Sequence, residues 1–317
     1  MTLSEGLSDA EWLEEVEEIA EERGYFSPLG DDHIAVFVDA DSDVLFVSFE
    51  AMAAVRAFGE SGLPIGFDIA DDKNWSHLSL VSIEESWFRD ANVFDFFDRA
   101  IDDGFFDEFE TVIFYGAGAC AYAAAVFSVA APGATVLLVS PQATLDPAQA
   151  EWDRRFPQTR RCALSTRFSY APDMLEAASA AYVIYDPTET VDAMHASLFR
   201  GSHIEKIRYR RGRSGSIDAD FRALGILEAA TDAATKGALN AAVFWQALRI
   251  RKHHIPYLRG LLARVQRTER PWLTAMLCRA VLDEYPIPRF RAILAQAEED
   301  IEAQNRGARH LSRADDA

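Results

Sequence analysis

The sequence predicts an α/β fold: three layers, with a mostly parallel sheet between helices, followed by a small all-helical C-terminal domain. Three observations predict it. Short, unbroken apolar runs at 111–115, 135–139 and 182–185 have the length and composition of parallel strands buried on both faces. Helical patterns alternate with those runs, as the crossovers of a parallel sheet require. From Thr235 onward the strand signals stop and only helical periodicity remains.

The clearest element is the unit at 111–141. It reads as a strand (111–115), a glycine turn (Gly116-Ala117-Gly118), an alanine-rich helix (119–130), a Pro132-Gly133 turn and a second strand (135–139). A helix of small residues can lie close to a sheet. In α/β proteins the turn between such a strand and helix holds either a nucleophile or an anion.

In chain order, 8–23 reads as a helix with a Ser8/Glu11 capping box; Trp12, Val16 and Ile19 fall on one face and Gly24 ends it. Residues 33–38 and 44–50 read as an antiparallel hairpin turning through 39–43. Residues 63–70 and 76–82 read as strands either side of the polar loop Asp71-Asp72-Lys73-Asn74. Residues 93–101 form a helix with Phe94, Phe97 and Ile101 inward. After the central unit come a helix (148–156), a strand (161–165), a helix opened by Pro172 (172–180), a strand (182–185) ended by Asp186-Pro187, a helix (191–199), a strand (203–209), a basic loop (210–216) and a helix (217–229). Four helices follow, at 239–249, 257–266, 272–284 and 289–303. Pro256-Tyr-Leu-Arg-Gly-Leu-Leu-Ala recurs as Pro288-Arg-Phe-Arg-Ala-Ile-Leu-Ala, a spacing similar to helix-pair repeats. The expected domains are 1–230 and 231–317.

Net charge is −20, unevenly spread: residues 1–110 hold 29 acidic and 5 basic side chains, a balance of −24, and the rest hold 22 and 26, a balance of +4. Such an acidic front repels nucleic acid and anionic lipid, so neither is an expected partner. Arg249, Arg251, Lys252, Arg259, Arg264, Arg267 and Arg270 make the helical region locally basic, which suits pairing with the acidic front within the molecule or in a homo-oligomer. The longest weakly polar run, 117–139, is broken by Pro132-Gly133 and is not a membrane span. No secretory signal is visible. Three scattered cysteines, Cys120, Cys162 and Cys278, fit neither a disulfide framework nor a zinc site and point to a reducing cytoplasm. His33, His77 and His253-His254 have no metal-ligand spacing, and no metal is expected.

Phe114-Tyr115-Gly116-Ala117-Gly118-Ala119-Cys120-Ala121-Tyr122 resembles the Y-G-S-S-M-G-G-Y elbow of a hydrolase-like group that includes proteins tied to bacterial polysaccharide synthesis and accessory secretion. Trp87-Phe88-Arg89 and Ser140-Pro141-Gln142 resemble that group as well, and the likeness spans roughly 33–230. The resemblance implies an α/β-hydrolase-like sheet. It also implies where catalytic groups would stand: the nucleophile at Gly118, which has no side chain; the second elbow glycine at Cys120; the acid at Asp186; and the histidine within 210–216, where none occurs. Without serine and histidine, the general base and the acyl intermediate both disappear.

Other chemistry at the turn follows from the residues. Cys120, in the first helical turn, is a candidate displaced nucleophile favoured by the helix dipole, with His195 or His203 as base. Gly116-x-Gly118-x-x-Ala121 fits a loose dinucleotide fingerprint, but the next strand ends in Ser140-Pro141-Gln142 without a ribose-binding acid, so no cofactor is expected. Arg208, Arg210, Arg211 and Arg213 form a candidate anion clamp. The candidate ligand set is Gly116, Gly118, Ala119, Arg211 and Arg213; the candidate catalytic residues are Cys120 and Asp186. A second resemblance is to sequences bearing the name phosphoadenosine phosphosulfate reductase. That family uses a C-terminal cysteine beside glycine and histidine, whereas Cys278 stands in Leu277-Cys278-Arg279. The expected function is a catalytically degenerate α/β-hydrolase-like protein binding an anionic ligand or a protein partner. The alternatives are a Cys-dependent acyl hydrolase or transferase, a sulfonucleotide reductase, and an interaction module acting through the helical tail.

Overall fold

The computed structural model describes residues 3, 6–58, 61–70, 73–157, 167–209 and 217–315. The expected strand at 161–165, Cys162 and the basic loop 210–216, with Arg211 and Arg213, lie outside the described residues. By its contacts the chain divides into two units, Met1–Ala247 and Leu248–Ala317.

The first unit contains an eight-stranded sheet in the order β1-β2-β4-β3-β5-β6-β7-β8. Its elements in chain order are α1 (Asp9–Glu21), β1 (Gly24–Leu29), β2 (His33–Val38), β3 (Val44–Ala51), α2 (Met52–Phe58), α3 (Ile65–Ala70), β4 (Ser76–Ser82), α4 (Ala91–Asp102), β5 (Thr111–Ala117), α5 (Ala119–Phe127), β6 (Thr135–Val139), α6 (Pro147–Ala150), α7 (Ala171–Met174), β7 (Ala180–Tyr185), α8 (Thr190–Leu198), β8 (Ile204–Arg208), α9 (Ile217–Ala223), α10 (Ile226–Thr235) and α11 (Ala241–Ala247). From β4 to β8 every neighbouring pair is parallel, and β2 runs antiparallel to both β1 and β4. The fold class read from the sequence is therefore the observed one, and the apolar runs at 111–115, 135–139 and 182–185 are its central strands.

Several elements differ from the sequence reading, each for an identifiable reason. Strands β2 and β3 do not form a hairpin: β2 pairs with β1 and β4, and β3 runs parallel to β4 and β5. The hairpin is β1–β2. Strand β1 escapes detection because it carries Ser27-Pro28 and is largely uncovered, and an edge strand tolerates the missing proline donor. Gly24 opens β1 instead of merely ending α1; a side chain there would meet the Phe37 carbonyl oxygen at 2.0 Å. The apolar run 63–70 is helical (α3), buried almost all round, a case in which a short apolar run carries no period to separate helix from strand. In α4 the buried positions are Val93, Phe96 and Phe97, while Ile101 is exposed. The helix expected at 148–156 shortens to α6, and that expected at 217–229 breaks at Gly225 (φ +62°) into α9 and α10.

Helix α1 starts on the expected capping box: the Ser8 side chain accepts from the Glu11 N–H, and the Glu11 carboxylate accepts from the Ser8 N–H at 2.8 Å. Its inner face, Trp12, Val16 and Ile19, packs with Ile34, Val36 and Phe67 on one side of the sheet. The other side holds the larger core, in which the alanines of α5 sit against Phe49, Phe97, Phe114 and Leu138.

The second unit holds α12 (Ile255–Gln266), α13 (Pro271–Glu284) and α14 (Pro288–Asp315) around Leu258, Leu262, Cys278, Val281 and Phe290. Among the described residues no helix is long and apolar enough to cross a membrane, and no cluster of acidic, histidine and cysteine side chains could hold a metal.

Candidate functional site

The strand-to-helix turn after β5 has a sharp elbow geometry. Gly118 adopts φ +61°, ψ −122°, a conformation costly for any residue with a Cβ. Its N–H donates to the Val139 carbonyl at 2.8 Å, which ties the turn to the end of β6. A Cβ at Gly118 would meet nothing within 4 Å, whereas one at Gly116 would lie 2.3 Å from the Cys120 carbonyl oxygen. Gly116 is therefore required for the close approach of α5, and Gly118 marks the position from which a side chain would project into open space.

That space is a cleft of about 380 Å³ at the C-terminal edge of the sheet, lined by Gly118, Ala119 and Cys120 together with groups from β3, β5, β6, α2 and α9. Beneath it lies a buried network. Arg222 donates through Nε to Asp218 Oδ2 at 3.0 Å and through Nη2 to Glu50 Oε1 at 2.8 Å. Tyr115 donates its hydroxyl to Asp218. Glu50 Oε2 accepts the Ile65 N–H at 2.9 Å and the Ser48 hydroxyl at 3.1 Å. The third guanidinium nitrogen, Nη1, is buried and has no acceptor among the described residues. Glu50, Tyr115, Asp218 and Arg222 all line the cleft.

Burial pushes the Glu50 carboxyl upward, opposed by the Arg222 guanidinium. Burial lowers Arg222 in isolation, but Glu50 and Asp218 outweigh it and hold the guanidinium above its ordinary range. Burial, reinforced by Asp218, raises Tyr115 well above the phenol range. Cys120 is 8 % exposed, and burial, with Glu50 and Asp218 adding to it, pushes its thiol up. The helix dipole does not prevail there, so the structure gives a protonated thiol.

On the opposite rim Arg155 binds Asp192 at 2.7 Å and Asp153 at 2.9 Å. Behind it Asp153 Oδ2 takes His195 Nε2 at 2.8 Å, and His195 Nδ1 accepts the Ala143 N–H at 3.1 Å. That second bond places the ring proton on Nε2. Burial lowers the His195 pKa in spite of Asp153, so the ring is a neutral, satisfied core histidine.

Of the residues singled out from sequence, Gly118, Ala119 and Cys120 reach the cleft, and Gly116 underlies the elbow. Asp186 ends β7 as expected, but its Oδ1 accepts the Thr188 N–H at 2.8 Å and hydroxyl at 2.7 Å, and it is not part of the cleft lining. His203 bonds the Leu175 carbonyl at 3.0 Å, away from Cys120. Arg211 and Arg213 lie outside the described residues. Sequence reasoning missed Glu50, Asp218 and Arg222. Two signals were available: an acid at the end of an otherwise apolar strand, and an Asp/Arg pair at i,i+4 on the helix after the last strand.

No protein-family model matches the chain, and no curated protein is similar to it. Solved structures are. The glycosylation-associated protein Gap123 complex from Streptococcus agalactiae aligns at 14 % identity over 65 % of this chain and 45 % of that chain, less than half its length, with a TM-score of 0.43. EstE1, a thermostable carboxylesterase cloned from a metagenomic library, aligns at 15 % identity over 78 % of this chain and 98 % of its own, TM-score 0.38. An esterase from Pyrobaculum calidifontis aligns at 15 % identity over 78 % and 96 %, TM-score 0.37. The strand order, the parallel pairing from β4 to β8 and the elbow define an α/β-hydrolase-like fold.

Proposed function

We propose that this chain is an α/β-hydrolase-like protein without acyl-transfer chemistry at its elbow, and that its cleft binds a small anionic ligand. One observation carries the reading: the elbow backbone is intact, yet the residue at its apex is Gly118, with open space where a nucleophile would stand. No histidine lines the cleft among the described residues, and Cys120 is a buried thiol, a poor nucleophile. Arg222 Nη1, which has no acceptor among the described residues, supplies a donor for the ligand. Two of the three cysteines, Cys120 and Cys278, are free, which fits the cytoplasmic reading.

The test pairs two measurements on the full chain. A fluorophosphonate probe, read by mass spectrometry, is expected to label no serine; labelling at a cleft serine refutes the reading. A thermal-shift screen of small anions is expected to give stabilisation that grows with concentration, about 2.7 kcal/mol at a hundredfold excess over Kd.

A second reading, binding of a protein partner through the helical unit, is favoured by Trp272 and Met276. They lie one turn apart on α13 and are 59 % and 47 % exposed, an apolar pair that a monomer does not need. Comparing the full chain with residues 1–247 by light scattering tests it: loss of self-association on truncation supports it.

A further inference from the structure

The cleft combines three features that together specify a ligand class. The first is a guanidinium with one open position. Arg222 gives Nε to Asp218 and Nη2 to Glu50; its side chain is 7 % exposed, and Nη1 has no acceptor among the described residues. A buried donor in this state favours an incoming oxygen, because its desolvation has already occurred and no bond offsets it.

The second feature is the charge count. Two carboxylates face one guanidinium, so the buried group carries one net negative charge when both are ionised. An anion docked on Nη1 doubles that charge in a site shielded from water, unless one carboxylate takes a proton. Glu50 is the better placed of the two. Its Oε2 faces the Ser48 hydroxyl at 3.1 Å, and Ser48 Oγ is also 3.1 Å from Ser79 Oγ. Ser48 can therefore turn, accept from a protonated Glu50 and donate to Ser79, with every group still bonded. Asp218 has no such relay: its one hydroxyl partner is Tyr115, behind which no second acceptor stands among the described residues, and its other oxygen accepts from Arg222. Among the described residues, the charged and titratable groups around Glu50 are Arg222 and Asp218 on α9, Tyr115 on β5, Cys120 on α5, the buried His77 beside Ser79 on β4, and, elsewhere on the cleft lining, Glu85 and the Arg155–Asp192 pair. One carboxylate with a proton relay compensates one ligand charge and not two, which selects a monoanion over a phosphate dianion.

The third feature is the wall. Ala51, Ala54, Phe58, Val139 and Ile217 line the cleft, and Phe58 is 43 % exposed at its edge. This is a surface for an apolar tail.

We propose that the ligand is a monocarboxylate with an apolar tail, its carboxylate bound at Arg222 Nη1, and that its binding is coupled to uptake of one proton by Glu50. The proposal rests on the ligand-binding reading above and names the class of ligand and its linkage to pH. Hexanoate is the probe, and hexanamide, its neutral isostere, the control.

Isothermal titration in buffers of different ionisation enthalpy counts the protons directly. The expected result is hexanoate binding with uptake approaching one proton, and affinity rising up to about tenfold for each unit that pH falls, while hexanamide binds more weakly and without proton uptake. Glu50→Gln is expected to bind hexanoate with no proton uptake and a flat pH profile. Phe58→Ser, at an exposed position, is expected to weaken hexanoate several-fold and leave the proton count unchanged. Hexanoate binding to the wild-type chain without proton uptake overturns the proposal, as does tighter binding of inorganic phosphate. Failure of both hexanoate and hexanamide to bind overturns it too; a thermal shift with another anion then leaves the broader ligand-binding reading standing.

Discussion

Replacing Gly118 with serine places a hydroxyl at the apex of the elbow, and its consequences can be worked out from the geometry. The new Cβ meets no atom within 4 Å, so there is no steric cost. The backbone cost remains: φ +61°, ψ −122° is sparsely populated for a residue with a side chain, at roughly 1–3 kcal/mol. For a unit of this size each kcal/mol lowers Tm by about 2–4 °C. Gly118→Ser is therefore expected to fold, to melt a few degrees below wild type, and to remain inert toward a fluorophosphonate. The hydroxyl has no histidine to take its proton, since none lines the cleft among the described residues and 210–216 contains none, and the Glu50 and Asp218 carboxylates are held by Arg222. Thermal unfolding by circular dichroism and mass spectrometry after probe treatment are the two assays. Rapid stoichiometric labelling of the serine refutes the reasoning, because it requires a general base free to take the proton. A loss far above 3 kcal/mol refutes the assignment of open space.

The other predictions concern the surroundings of the turn. Gly116→Ala places a Cβ 2.3 Å from the Cys120 carbonyl and 2.8 Å from the Ala121 nitrogen, both backbone atoms; it is expected to cost at least the 1–3 kcal/mol typical of overpacking, more than Gly118→Ala, in urea unfolding. Cys120 is expected to react with iodoacetamide only as the protein unfolds, since burial raises its thiol; fast native labelling near pH 7 would restore a nucleophilic role. For Asp153, burial pushes the carboxyl up, but Arg155 and His195 donate to it and hold it down at about 2 against an ordinary 3.8. A depressed carboxylate gives stability that is present above pH 3.8 and lost as pH falls toward 2. Asp153→Asn should therefore cost on the order of 2 kcal/mol at pH 7, with the gap to wild type closing between about pH 4 and pH 2 in denaturant titrations.

The parts legible in the sequence were those whose signal is local. The central strands announce themselves because parallel strands buried on both faces must be apolar throughout. The elbow does so because Gly116 and Gly118 answer steric demands a few residues away. The start of α1 is legible through Ser8 and Glu11, which satisfy each other three positions apart. What stayed hidden depends on pairing at a distance. Whether β2 joins β3 or β4 is decided by the register His33↔Ser82, nearly fifty residues apart in sequence, and nothing within 33–50 encodes it. The polar network suffers most from this. Glu50 and Arg222 are 172 positions apart, and each alone reads as one more charge in a charged chain.

That long-range network bears on what holds the elbow if, as proposed, it carries no nucleophile. The geometry of the turn is held by groups that have no part in acyl transfer: the Gly118–Val139 hydrogen bond, the glycine required at 116, and the alanine face of α5 against the core. None of them needs a side chain at Gly118, so the turn holds its shape without a nucleophile there. The Glu50–Arg222–Asp218 group is different. Burying two carboxylates and a guanidinium is costly, and well-packed apolar residues of similar size are often as stabilising or more so. Its charge imbalance and the open Arg222 Nη1 run against stability as the reason for its presence. Arg222→Met tests this separation of roles. It leaves two carboxylates uncompensated, so it is expected to destabilise by about 3–5 kcal/mol at pH 7, whereas Arg222→Met combined with Glu50→Gln and Asp218→Asn should recover much of that loss while abolishing hexanoate binding. Recovery of stability with binding retained would place the ligand elsewhere in the cleft and leave the buried network a purely structural role.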